Sequence, residues 1–319
     1  MTVHFCTLFD ARYAARGLVM LESLEAQFAG DKTVTILAMD DEVPSMVARM
    51  GRPNWKVVTV EDIGDAELVE VKTTRPHREF CWTCAPALMS HMVQAQADNE
   101  IVAYLDADLY FFSSPQLLLD ELGSSGTILI HEHRYSEDRR HYESSSGRFN
   151  VGFLAFLVGD EARACVNRWR QQVLDKCVLE PENGYCGDQG YLNEWPSLYP
   201  GLRILKNIGG GVAPWNLLAY KVEGTASRPT VSGVPVVFFH YHSFRMVSVG
   251  AFSHVAAIPA WGYDFSRESQ RLLFSRYARK IRGVLKRAGR LGFTAESDLQ
   301  HPVREAVRAL LRRNLISAI

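Results

Sequence analysis

Asp106 and Asp108 stand one residue apart at the end of an apolar run, in the stretch IVAYLDADLYFFSS from Ile101 to Ser114. In an extended chain, residues i and i+2 share a face, so both carboxylates reach the same side. A strand buried on both faces cannot hold an unpaired charge. A pair of carboxylates at its end suits Mn²⁺ or Mg²⁺, with coordination positions left for phosphate oxygens. A bare D-x-D is more often a hydrated loop or turn. Here the apolar strand before it, Tyr110-Phe111-Phe112 after it and a helix start at Ser113-Ser114-Pro115 point instead to a metal and diphosphate site. The carboxyl ends of strands in an open α/β sheet are also where ligands bind.

Other residues have chemistry to offer around such a site. Asp10 and Tyr13 follow the first strand, where they can bond to and stack on a base, or where Asp10 simply caps a helix. Lys72 and Arg78, in KTTRPHR, can neutralise a diphosphate or belong to a solvated basic loop. His131-Glu132-His133 closes a later strand and can ligate a metal, line an acceptor pocket or do neither. In RFNVGFLAFLV, Asn150 offers a donor and an acceptor to a hydroxylated ligand, while Gly152 permits close backbone approach. The loop from Gly184 to Asn193 delivers Asp188 and Gln189, an acid and an amide, before a helix. Near the end of another strand come His240 and His242, either of which can complete a metal site; the alternative is a core histidine.

These residues need a scaffold, and the apolar pattern supplies one. Strands at Thr2–Leu8, Thr33–Met39 and Lys56–Val60 alternate with helices at Gly17–Phe28 and Pro44–Met50. A helix at Phe80–Ala97 then leads into the Asp106 strand. Such alternation predicts an α/β fold with a mostly parallel central sheet flanked by helices. No G-x-G-x-x-G follows the first strand, which counts against a dinucleotide fold. At 319 residues and 47% hydrophobic content the chain can bury a large core. A net charge of −1 argues against a nucleic-acid binder. The six cysteines fit reduced thiols, and the lone C-x-x-C at Cys81 and Cys84 has no second pair at zinc spacing.

Charge is placed unevenly. From Phe265 to Ile319 there are 13 Lys+Arg against 4 Asp+Glu, so this tail carries +9 and the body −10. Leu273, Tyr277, Ile281, Val284, Leu285 and Ala288 recur at helical spacing, as do Val303, Val307, Leu310 and Leu311 behind Pro302. A basic amphipathic helix lies on an anionic membrane or packs on an acidic body. Packing is the expectation here, because the body is acidic and the stripe must be buried. No stretch is apolar enough to span a bilayer and no signal peptide is evident at Met1, so the expected location is the cytoplasm, with the inner membrane face as a peripheral contact through the tail.

The order Asp10-x-x-Tyr13, Asp106-x-Asp108, Phe149-Asn150-Val151-Gly152, Asp188-Gln189 with Leu192-Asn193, Trp215-Asn216 and a late His240 resembles the retaining glycosyltransferases of family 8 and their bacterial relatives. The similarity covers roughly residues 3–245 and implies a GT-A fold. In that reading residues 1–130 form the nucleotide-sugar half, 131–262 the acceptor-binding half of the same domain, and 263–319 a helical tail. The resemblance further implies Mn²⁺ (or Mg²⁺) held by Asp106, Asp108 and His240, a UDP-glucose or UDP-galactose donor with Asp10 and Tyr13 at the uridine, and Asn150, Asp188 and Gln189 at the donor sugar. The chain departs from the family after His240, where His240-Tyr241-His242-Ser243-Phe244-Arg245 lacks the usual lysine. Arg245 or Lys72 would substitute as the cation. Retention, with Gln189 orienting the sugar, is the implied outcome; inversion would make Asp188 the general base. A non-catalytic nucleotide-sugar binder is the alternative from another class, the acceptor being unspecified in every case.

Overall fold

In the computed structural model, the described residues are 1–50, 54–179, 186–249, 252–260, 262–293 and 302–318. The chain opens with β1 (Val3–Phe9), α1 (Ala14–Gln27), β2 (Lys32–Ala38), α2 (Glu42–Arg49) and β3 (Trp55–Val58). After α3 (Ala66–Lys72) and α4 (His77–Ala95) come β4 (Ile101–Leu105), β5 (Leu109–Phe111), α5 (Gln116–Leu119) and β6 (Ile128–Glu132). Then α6 (Glu143–Ser146), β7 (Phe149–Leu157), α7 (Asp160–Asp175) and, past a short helix, β8 (Leu202–Ile204) follow.

Among the described residues the central sheet has seven strands in the order β3-β2-β1-β4-β7-β6-β8. The pairs β3–β2, β2–β1, β1–β4 and β6–β8 are parallel, whereas β7 runs antiparallel to both β4 and β6. The expected mostly parallel sheet is thus observed, with β7 as the reversed strand. β6 straddles the expected division at residue 130, and the sheet continues unbroken through both halves.

Alternation along each strand explains the unbroken apolar runs. On one face Phe5, Ala103, Leu105 and Phe153 pack with α1 and α2. On the other Cys6, Val102, Tyr104 and Leu154 pack with α4 and α7. A sheet covered on both sides leaves few polar positions along its strands, Thr7 and Thr35 being buried exceptions, and carboxylates gather at the ends. The tail divides. A helix at Ser275–Arg290 buries Tyr277, Ala278, Ile281, Val284 and Ala288 in the core, and its Arg287 reaches Glu22 of α1 at 2.6 Å. The second helix, Pro302–Leu311, does not follow the expectation of packing: Val303, Val307, Leu310 and Leu311 are 52–80% exposed, while Ala309 is buried. Among the described residues no helix is long and apolar enough to cross a membrane.

Candidate active site

β4 ends at Leu105, and the next residues turn out of the sheet. The Asp106 amide donates to Gly152 O at 2.9 Å and Leu109 N donates to Asp106 O at 3.3 Å, which sets the tight connection to β5. β5 leaves the main sheet and pairs antiparallel with a distant strand, Phe238–His240, placing His240 opposite Leu109. The Tyr241 amide then donates to Asp108 O at 2.8 Å. This ribbon carries His240 to the carboxylates: its Nε2 lies 3.0 Å from Asp108 Oδ1 and 3.6 Å from Asp106 Oδ2. Among the described residues, these three form the cluster able to hold a metal, with ligand atoms within 4.8 Å of one another. His240 rather than His242 lies beside the two carboxylates.

Close packing holds the histidine. A methyl group on Gly152 would lie 2.9 Å from His240 Nδ1 and 2.7 Å from Asn150 Oδ1. The Trp215 ring stands edge-on to His240 with centroids 5.2 Å apart, and its indole N–H donates to His133 O at 3.0 Å. Tyr104, buried one turn of the pleat below, donates its hydroxyl to Asp106 Oδ1 at 3.1 Å. The Tyr104 contact is not readable from sequence, and the close approach expected at Gly152 gains its partner, His240, only from what the sheet brings alongside.

The electrostatics describe an anionic site waiting for a counter-charge. Burial, reinforced by Asp108, raises the Asp106 carboxyl to about 6, against the opposing pull of His240. Burial also acts on Asp108, but the charge and hydrogen bond of His240 outweigh it and hold Asp108 below the usual carboxylate range. Burial alone would depress His240, yet the two aspartates raise it. Asp188 is pushed well above its ordinary value by burial and then by Asp106. Two carboxylate oxygens and an imidazole nitrogen converging in a desolvated corner fit a divalent cation, which would offset the repulsion that burial makes costly.

The cluster faces a cleft of about 690 Å³. Asp10, Tyr13, Arg78, Asn150, Asp188, Gln189 and His242 also line it. Asp10 is engaged within the protein: Oδ1 accepts from Tyr13 N at 2.9 Å, in the turn before α1 rather than as its cap, and Oδ2 meets His77 Nε2 at 3.0 Å. β7 explains Asn150. Because that strand runs backwards, its first four residues reach past the end of β4, where Leu105 pairs with Phe153, and Asn150 lies opposite His131 of β6. Asn150 Oδ1 accepts from Gly152 N at 2.9 Å, while its amide N–H groups face His133 Nε2 at 3.2 Å and Gln189 Oε1 at 3.4 Å. Gln189 in turn donates to Ser146 O at 2.8 Å. Asn150 therefore braces Gln189 and His133. Of the loop expected from Gly184 to Asn193, Gly184 and Tyr185 lie outside the described residues.

Two expected cations are not brought to the cleft. Lys72 ends α3 on the surface and pairs with Glu61 at 2.9 Å. Arg245 begins the strand after His240 and is not among the lining residues. The first two turns of α4 take their place: His77, Arg78, Cys81 and Trp82 line the cleft, so a 19-residue helix directs its positive end there. The histidine cluster separates. His131 is buried against Phe238, with ring centroids 5.7 Å apart, whereas His133 lines the cleft and burial lowers it to about 3, leaving it neutral. Residues the sequence did not single out form the far wall: Tyr135, Arg139, Tyr142 and Tyr263, with Arg139 over the Tyr263 ring at 4.8 Å. Aromatic rings beside one polar end make a surface suited to a sugar face.

No family model matches the chain. Two Bacillus subtilis (strain 168) proteins, both uncharacterized, are similar along most of its length. YfnD is 30% identical over 254 residues, covering 79% of this chain and 81% of YfnD. YfnF is 27% identical over 262 residues, covering 80% and 86% respectively. Among solved structures, the galactosyltransferase LgtC in complex with donor and acceptor sugar analogues superposes with a TM-score of 0.54 at 18% identity, over 90% of this chain and 96% of LgtC. An active-site mutant of LgtC gives 0.53 at 16% identity over the same shares. The expected GT-A fold is therefore the observed one.

Proposed function

The chain belongs to the family of YfnD, on a GT-A fold, and from that premise we propose that it is a metal-dependent glycosyltransferase. The reading is that it moves a hexose from a nucleotide sugar, UDP-glucose or UDP-galactose, to a glycan, lipid-linked or small-molecule acceptor with retention of configuration. LgtC, described with donor and acceptor sugar analogues, is the fold neighbour that supports this choice. The observation that carries it is the convergence of Asp106, Asp108 and His240 at the carboxyl edge of the sheet, facing a cleft that also holds Asp188 and Gln189.

Asp106, Asp108 and His240 would hold the divalent ion, which when bound supplies Lewis-acid stabilisation to the departing diphosphate. Arg78 and the N-terminal turn of α4 add fixed positive charge on the diphosphate side without reorganisation. Asp10 and Tyr13 border the nucleoside end. In the transfer the bond from the anomeric carbon to the phosphate oxygen breaks and a bond to the acceptor oxygen forms. The acceptor's proton passes to the departing phosphate oxygen, so retention needs no strong protein base. Gln189, held by Ser146 and Asn150, keeps its amide against the sugar as positive character develops at the anomeric carbon. Asp188 favours a second reading, inversion, because burial and Asp106 raise its carboxyl toward the range of a general base.

The test is donor turnover. The protein is incubated with a panel of nucleotide sugars, with and without Mn²⁺, and released nucleotide diphosphate is measured. Mn²⁺-dependent release from one donor, lost in Asp108→Asn, is expected. No release together with no nucleotide binding would overturn the proposal. The anomeric configuration of the product, read by NMR, decides between retention and inversion.

A further inference from the structure

The helix Pro302–Leu311 presents an apolar arc that is exposed among the described residues. Val303, Val307, Leu310 and Leu311 follow i, i+4, i+7, i+8 spacing, with exposures of 58, 52, 61 and 80%. On a helix such residues share one face. Arg304, Arg308 and Arg312 are exposed beside them. The opposite side rests on the strand Arg245–Val249, and Ala309 packs with Val247 of that strand and with Ile258 of the strand paired to it. The apolar arc is therefore directed outward by a packed inner side.

The chain leaving this helix forms a second feature. Leu315, Ile316 and Ser317 line a cleft of about 280 Å³ together with Arg267, Arg271 and Arg279. Gln270, also in that cleft, donates to Arg313 O at 2.9 Å and so ties the arginine wall to the end of the exposed helix. Three guanidinium groups around a small open cleft suit a phosphate. The 13 basic and 4 acidic residues beyond residue 264 extend this character along the whole segment, while the rest of the chain is acidic.

We propose that this C-terminal surface docks on an anionic membrane, with the apolar arc entering the headgroup boundary and a lipid phosphate held by Arg267, Arg271 and Arg279. Charge complementarity selects this occupant. An apolar stripe rimmed by arginines inserts at an anionic interface, and the −10 body is repelled from the same surface, which fixes orientation as well as affinity. The inference rests on no part of the glycosyltransferase reading and its test needs no catalysis.

The test is co-sedimentation of the full chain with vesicles of phosphatidylcholine alone or mixed with phosphatidylglycerol, alongside the mass in solution by light scattering. Binding to the phosphatidylglycerol vesicles only, weakened by salt, is expected. Leu310→Ser/Leu311→Ser is expected to lower it more than tenfold, and each of Arg271→Gln and Arg279→Gln about fivefold. These side chains are exposed, so unchanged melting temperature checks that the variants fold. Equal binding to both vesicles, binding that survives the leucine pair, or no binding overturns the proposal. A dimer abolished by the leucine pair also overturns it and assigns the face to a second copy of the chain.

Discussion

At the scale of residues, Asp106 and Asp108 do one thing that neither would do alone. Each carboxylate is costly where it sits, and His240 between them recovers part of that cost. Removing one anionic ligand leaves a pair too weak for a hard cation, so Asp108→Asn is expected to fold and to lose Mn²⁺-dependent UDP binding, as titration calorimetry would read. The loss should exceed the roughly 10–100-fold typical of removing a group that only supports a ligand. Tyr104→Phe belongs to that milder class: it deletes the hydroxyl on Asp106 Oδ1 and should weaken Mn²⁺ binding by about tenfold. Gly152→Ala tests the packing. Its methyl would crowd both His240 and Asn150, and lost metal affinity with an unchanged far-ultraviolet spectrum is the expected result. Wild-type affinity in Gly152→Ala would show that His240 is not held by this contact.

At the scale of elements, β7 and the β5 ribbon are the parts that make a site from separated motifs. The helices behind the sheet are fastened by charges of a different kind. Asp65 caps α3 by accepting from Leu68 N at 3.1 Å, and Arg170 of α7 donates to it at 2.6 Å. Burial would raise the Asp65 carboxyl, but the hydrogen bonds from Arg170 and the Leu68 amide, with the Arg170 charge, together outweigh burial and the net displacement is downward. A carboxylate whose folded value is depressed adds stability that is present above its unfolded value, about 3.9, and is lost as pH falls through the lower folded value. Asp65→Asn should therefore cost about 1–3 kcal/mol at neutral pH and flatten the acid limb of the stability curve, measured by urea unfolding between pH 7 and 3. A variant with the wild-type acid limb would place the pH dependence elsewhere.

At the scale of the molecule, a cleft open to solvent and a cluster of like charges imply that ligand contributes to stability. Mn²⁺ with UDP should raise the melting temperature by a few degrees, through an approximate 2.7 kcal/mol at a hundredfold excess over Kd. UDP without metal should do much less, and chelation should reverse the gain; thermal denaturation checks each. If UDP alone gives the full rise, the acidic cluster is not what binds the diphosphate.

The sequence alone was enough for the sheet, the two carboxylates on one side of a strand end and the two amphipathic segments of the tail. These are local matters, governed by periods of two and 3.6 residues over short stretches. Partnership at the site was a matter for the tertiary structure. That His240 and not His242 meets the aspartates follows from antiparallel pairing between segments some 130 positions apart in the chain. That Asn150 arrives at the carboxyl edge follows from the reversal of β7, and that Lys72 does not arrive follows from where α3 ends. The same holds for the tail. Both stripes are legible as apolar faces, but only the packed structure shows that one is covered and the other left outward, because burial depends on what surface remains after the first helix has docked.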